Sequence, residues 1–299
     1  MVKWSELTAG VAMLAAGALS APLSAAVTDA FGVPTTVEIV GYNGEAMEPF
    51  VTRDGQYLLF NNRNGPTDQT DLFVAIRASE TRFVLMGPLV GANSAWLDGA
   101  ASVDRSGGFF FISNRAYDSL GTTLWGGRFA NGLVSQVAPL VTNFTPKQPL
   151  RLNIDMEISA DGQTLYVAEN RWDLLLGRPA TSHLAMATRV GAQFVRRPDS
   201  DLLMRAINGN FLDYAPASSA DELTLYFTRW DTSAPGDTGL SLMVSHRLSR
   251  RAAWGQPQRI MAAVGHVEGP SVTPDGCGLY YHALVGGHFR VMLTRKARC

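Results

Sequence analysis

One short block recurs five times along the chain, a two-residue turn followed by a run of apolar and aromatic residues. The copies read DGQYLLF from Asp54, SGGFFFI from Ser106, DGQTLYV from Asp161, DELTLYF from Asp221 and DGCGLYY from Asp275. Their starts lie 52, 55, 60 and 54 residues apart. A period of that length, holding several strand-like runs and no helical pattern, indicates blades of a β-propeller rather than a solenoid of helix pairs.

Each copy can be resolved into strands. A short first strand such as Phe50 to Thr52 or Ser271 to Thr273 enters the turn, and Asp-Gly there supplies the positive φ of a tight hairpin. The apolar run that follows is continuous rather than alternating, as in Leu165, Tyr166 and Val167, so this strand is expected to be buried on both faces. Third strands read DLFVA from Asp71, TLWGGRF from Thr123, HLAMA from His183, LSLMV from Leu240 and FRVML from Phe289. Weaker fourth strands lie at 83–85, 133–134, 194–195 and 257–260. The fifth copy ends after its third strand, while TVEIV, Thr36 to Val40, stands unassigned ahead of the first. The expected fold is therefore all-β, a five-bladed propeller of four-stranded antiparallel blades. Its blades span about 46–90, 97–141, 152–198, 211–262 and 267–299, and residues 36–40 complete the last one and remove an open edge.

The first residues have a different character. Lys3, the apolar run Leu7 to Leu19, Pro22 and the small residues Ser24 to Ala26 follow the order of a secretory signal peptide cleaved after Ala26. The run is shorter than the ~20 residues of a membrane-spanning helix, and an uncleaved anchor is the competing reading. Residues 1–26 are thus expected to be removed, leaving 27–299 as one domain, periplasmic or secreted from a bacterium, with no stable membrane span. Export permits a disulfide between the two cysteines, Cys277 and Cys299, although sequence alone leaves their pairing open. A net charge of −1 gives no long-range attraction for nucleic acid.

The block Ser/Thr-x-Asp-Gly, an aromatic strand, Asn/Thr-x-Arg and an Asp-Leu third strand resembles the PD40 (WD40-like) repeat of TolB-type bacterial propellers. The outer copies match best; the second has Ser106-Gly107 for Asp-Gly, and the fourth has Glu222 for Gly. The resemblance implies a periplasmic, protein-binding propeller, without the further N-terminal domain of TolB.

If the first strands descend a central channel to the turns, their starts and the ends of the second strands share the opposite, top face. Acids near those starts are Glu48, Asp98, Asp155 with Glu157, Asp213 and Glu268. Arginines ending second strands are Arg63, Arg115, Arg171 and Arg229, with His282 near the fifth place, and Arg-Trp-Asp occurs at 171–173 and 229–231. One reading has these charges tying loops together. The other has Arg63, Arg115, Arg171, Trp172, Arg229 and Trp230 forming a surface for a protein or an envelope glycan, with the tryptophans stacking on a sugar or anchoring a peptide.

Five-bladed furanosidases and arabinanases, which the arrangement resembles in architecture, place carboxylates on inner strands. On that alternative, Glu48, Asp155, Glu157 and Asp213 are the candidate catalytic acids of a glycoside hydrolase-like enzyme, whose carboxyl pair would stand roughly 5–9.5 Å apart. His266, His282 and His288 lack a ligand spacing, so no metal site is expected. No cofactor is expected either, calcium in the channel being the one ion that so many acids would admit.

Overall fold

In a computed structural model of the chain, the structure describes residues 30–62, 70–143, 148 and 150–299. Arg63 and the expected signal peptide lie outside the described residues. The fold is all-β and propeller-like. Ahead of the first turn block run β1 (Thr35–Thr36) and β2 (Glu38–Val40). The first unit is β3 (Met47–Val51), β4 (Tyr57–Asn61), β5 (Leu72–Arg77) and β6 (Arg82–Pro88), and the second β7 (Asp98–Val103), β8 (Gly108–Ser113), β9 (Leu124–Ala130) and β10 (Leu133–Pro139). The third is β11 (Arg151–Ile158), β12 (Thr164–Asp173), β13 (Arg178–Val190) and β14 (Gln193–Arg196); the fourth is β15 (Leu212–Ser218), β16 (Thr224–Trp230), β17 (Leu240–His246) and β18 (Gln258–Arg259). The last is β19 (Val267–Val272), β20 (Gly278–Val285) and β21 (His288–Arg295). Two short helices, α1 (Tyr117–Leu120) and α2 (Ser200–Met204), sit in connections.

Each unit is an antiparallel meander, and the third and fourth join through one parallel pair, Ser182 with Leu212. The first strands β3, β7, β11, β15 and β19 pack on one another in succession, and β19 returns to β3. Between successive units lie five apolar clusters, which explains the continuous apolar second strands. In β8, Phe109 and Phe111 point to the first unit while Phe110 and Ile112 point to the third. In β4, Leu59 faces the second unit while Leu58 and Phe60 face the last. Each such side chain, fully buried, contributes about 1.5–3 kcal/mol.

The segment Thr36 to Val40 does not form one strand. Thr35 and Thr36 pair antiparallel with β21, whereas Glu38 to Val40 run parallel to β6. The Val37 N–H donates to the Val291 carbonyl (2.8 Å) and the next N–H, of Glu38, to the Thr81 carbonyl (2.8 Å). The division has a packing cause: Val37 and Ile39 both enter the cluster shared by Phe83 of the first unit and Val291 and Leu293 of the last.

The turns repeat one hydrogen-bond scheme. Thr52, Ser159, Ser219 and Thr273 donate a hydroxyl hydrogen to the aspartate two residues on, over 2.5–2.7 Å. The second unit inverts it, with the Ser106 hydroxyl donating to Asp104 (2.7 Å), so Ser106-Gly107 is a swapped copy of the same turn. In the fourth turn Glu222 adopts φ 59° where glycine is expected, a conformation costing about 1–2 kcal/mol. Its buried carboxylate accepts from the Tyr166 hydroxyl (2.9 Å) and lies 3.5 Å from Arg247 and 3.3 Å from Arg250. The glutamate thus fastens the third unit to the fourth. Cys277 and Cys299 form a disulfide, with their Cα atoms 5.5 Å apart.

Candidate functional site

Every first strand is broken by a bulge at nearly the same height, where its pairing slips between Met47 and Phe50, Gly99 and Ser102, Asn153 and Met156, Tyr214 and Ala217, and Glu268 and Ser271. A bulge bends its strand and re-aims side chains. Glu48, Ala100, Ala215 and Gly269, each six residues before the turn block, adopt φ 47–63° there. Asp155 holds the same place in the third unit without that conformation, its bulge lying one residue earlier.

Counting from the turns separates the acids. Asp98 and Asp213 lie eight residues before their turn blocks, Glu268 seven, Glu48 and Asp155 six, and Glu157 four. Asp98 and Asp213 are 0% exposed. Asp98 accepts from Arg115 (2.5 Å), and Asp213 accepts a two-pronged contact from Arg229 (2.7 and 3.2 Å). The same guanidinium groups donate to the Ala92 and Ile207 carbonyls and lie over Phe111 and Trp125, and over Phe211 and Phe227. These two pairs repeat because they brace the repeat. Glu157 lies deeper, accepting from Arg53 (2.5 Å) and the Ser102 hydroxyl (2.8 Å), and this pair crosses the channel below the bulges.

Glu48, Asp155 and Glu268 line a top-face cleft of ≈ 830 Å³. Glu48 and Asp155 each accept from the bulge N–H of the next unit, Ala100 (3.1 Å) and Ala215 (3.3 Å). Burial pushes the Asp155 carboxyl up to about 7; the Ala215 N–H opposes the rise and the Glu268 charge adds to it. Glu268 is the opposite case: burial raises it, but the imidazoles of His266 and His282 beside it and the hydrogen bond from Tyr214 prevail and hold it well below the usual carboxylate range. The Tyr214 hydroxyl donates to Glu268 over 2.8 Å, and burial, then the nearby carboxylates, keeps that phenol protonated. Buried His282 accepts the Glu48 N–H at Nδ1 (3.0 Å), and its Nε2 lies 3.3 Å from Glu268. An acid retaining its proton near neutral pH beside an ionised one is the division of labour that acid–base chemistry requires.

The walls are apolar, including Leu97, Ile112, Leu152 and Leu212, and half-buried Trp172 and Trp230 stand in the lining with Tyr117. The long β12–β13 hairpin folds Arg178 back opposite Asp173, setting its guanidinium 5.4 Å over the Trp230 ring. Arg178 escaped the sequence reading because only this hairpin register carries it there; the sole signal was the length of chain between the RWD at 171–173 and the third strand. Arg171 is exposed and outside the cleft lining. The RWD aspartates cap turns, Asp173 accepting from Leu175 and Leu176 and Asp231 from Ser233. His288 pairs with Glu45 (2.8 Å), away from His266 and His282. Among the described residues no group of three or more His, Cys, Asp or Glu is arranged to hold a metal ion.

No family model and no curated protein matches the sequence. Solved structures do. The BT0996 RGII complex is similar at 10% identity and TM-score 0.61, over 90% of this protein and 92% of that one. The catalytic domain of a GH62 α-L-arabinofuranosidase from Coprinopsis cinerea is similar at 10% identity and TM-score 0.56, over 90% and 98%. TolB from Acinetobacter baumannii is also similar, at 13% identity and TM-score 0.47, over 85% of this protein and 55% of TolB. At such identities the first two likenesses show a fold alone, and function rests on the site.

Proposed function

We propose that this chain is an exported five-bladed propeller of PD40, TolB-like type, closed at its first and last blades by residues 35–40, and that its top-face cleft binds an envelope or extracellular glycan. One observation carries the reading: Trp172 and Trp230 line an apolar-walled cavity together with the three carboxyl groups that stand outside the bracing pattern of Asp98 and Asp213. Aromatic faces stack on the C–H faces of sugars, and carboxylates accept their hydroxyls. The disulfide at the C-terminus supports an oxidising compartment. Binding is tested by titrating cell-envelope oligosaccharides into the mature protein and into Trp172→Ala and Trp230→Ala variants. Loss of affinity in both, with the fold intact, is expected; unchanged affinity overturns the assignment, and capture of a protein at the same tryptophans would replace the glycan with a polypeptide.

A second reading, hydrolysis of the bound glycan, is favoured by Asp155, whose raised pKa suits a proton donor, with Glu48 as the carboxylate partner. Under it, Asp155→Asn abolishes turnover and leaves binding in place. A wild-type protein that binds an oligosaccharide and leaves it uncut under the same conditions refutes this reading and retains the first.

A further inference from the structure

The β12–β13 hairpin, made of the longest strands among the described residues, carries three consecutive leucines at its tip on the top face. Leu174, Leu175 and Leu176 are 71%, 98% and 55% exposed. The Asp173 carboxylate accepts the Leu175 and Leu176 N–H groups (2.9 and 3.1 Å), so these donors keep a partner if the tip enters an apolar medium. At the foot of the tip Arg151 and Arg171 stand directly opposite each other across β11 and β12, both exposed and neither in an ion pair among the described residues. Like charges so placed repel, and an external anion relieves the repulsion. Trp96 ahead of β7, Leu120 at the end of α1 and Leu150 ahead of β11 are exposed in connections on the same face.

We propose that this hairpin docks the top face on an anionic phospholipid bilayer, its leucines entering the boundary between headgroups and acyl chains and Arg151 and Arg171 pairing with lipid phosphates. Two features favour a bilayer over a protein. Successive side chains around a turn diverge, so one rigid surface does not cover all three leucines, whereas a fluid acyl layer does. Paired arginines beside an apolar tip are also the combination that an anionic headgroup layer complements, since guanidinium groups match phosphate oxygens. Exposed Trp96 suits the same interface. The docking does not depend on the glycan assignment; because Trp172 belongs to the same hairpin, it sets the mouth of the cleft at the lipid surface.

Flotation of the mature protein with vesicles of phosphatidylglycerol and phosphatidylethanolamine, and separately with phosphatidylcholine vesicles, tests it. Binding about tenfold or more tighter to the anionic vesicles is expected, weakened about tenfold or more by Leu175→Ser combined with Leu176→Ser and by Arg171→Glu. All three side chains are exposed, so the variants fold. Both native cysteines are held in the disulfide, so Leu175→Cys takes a polarity-sensitive fluorophore at a single position. Its emission should shift to the blue on anionic vesicles, while the same label at Leu248→Cys, exposed on the face bearing the turns, should not shift. Absence of binding to anionic vesicles, equal binding to both kinds, binding indifferent to the substitutions, or a shift at Leu248 without one at Leu175 overturns the proposal. A concentration-dependent dimer abolished by Leu175→Ser, without vesicle binding, would assign the leucines to a second copy of the chain instead.

Discussion

Asp155→Asn should stabilise the protein, and only at neutral or alkaline pH. The carboxyl is 5% exposed, and its pKa rises from the ordinary 3.8 to about 7 in the folded chain. The folded state therefore binds the proton more tightly than the unfolded state. Stability from this group is complete below about pH 4, falls as pH rises through the window from 4 to 7, and stays lost above it. Each tenfold change in the protonation equilibrium is about 1.4 kcal/mol, so the whole loss is about 4 kcal/mol as an upper figure. Asparagine is nearly isosteric, can accept the Ala215 N–H and does not titrate. The difference in unfolding free energy between variant and wild type should thus be near zero at pH 4 and should favour the variant by up to about 4 kcal/mol at pH 8. Urea denaturation at pH 4, 6 and 8, followed by tryptophan fluorescence, measures it, and differencing against wild type cancels the other titrations. A variant less stable than wild type at pH 8, or a difference constant across the range, would mean that folding does not raise the Asp155 pKa and would refute the argument.

Arg229→Met should leave Asp213 as an uncompensated buried charge and destabilise by about 3–5 kcal/mol, whereas Arg171→Ala, on an exposed side chain, should change stability by under about 0.5 kcal/mol; chemical denaturation of the two side by side distinguishes a brace from a surface charge. Glu222→Gly relieves a left-handed φ but strips fully buried Arg247 of its carboxylate, so a net loss of about 1–4 kcal/mol is expected, and a gain would show that backbone strain outweighs the ion pair. Cys277→Ser opens a bridge between residues 22 apart and should lower stability by about 3 kcal/mol, read as a fall in melting temperature that reducing agent reproduces in the wild type.

Much of the architecture was legible because its causes are local. Strands buried on two faces read as continuous apolar runs, and the turn scheme reads as Ser/Thr-x-Asp. Even its inverted copy, Asp104-x-Ser106, is visible once the hydroxyl and carboxylate are seen to exchange places. The acids were harder. Grouping Glu48, Asp98, Asp155, Asp213 and Glu268 as one residue per unit overlooks their different distances from the turn, and those distances decide which meet a repeat arginine and which enter the cleft. That count was available in the sequence. Its meaning was not, since a bulge shows only in strand pairing. Arg178, the Arg53–Glu157 crossing and the Glu222–Arg247 contact join residues from distant parts of the chain or depend on one hairpin's register, and composition carries no trace of them.

Residues 35–40 bond to both the earliest and the latest sheets, and this orders events in time. While β21 is still unmade, the Val37 N–H lacks the Val291 carbonyl and the apolar faces of Val37 and Ile39 lack half their cluster. A polypeptide emerging from N- to C-terminus can assemble its middle units early but cannot join its last sheet to residues 35–37 until His288–Arg295 have been made. Slow, late completion through contacts of long sequence separation follows.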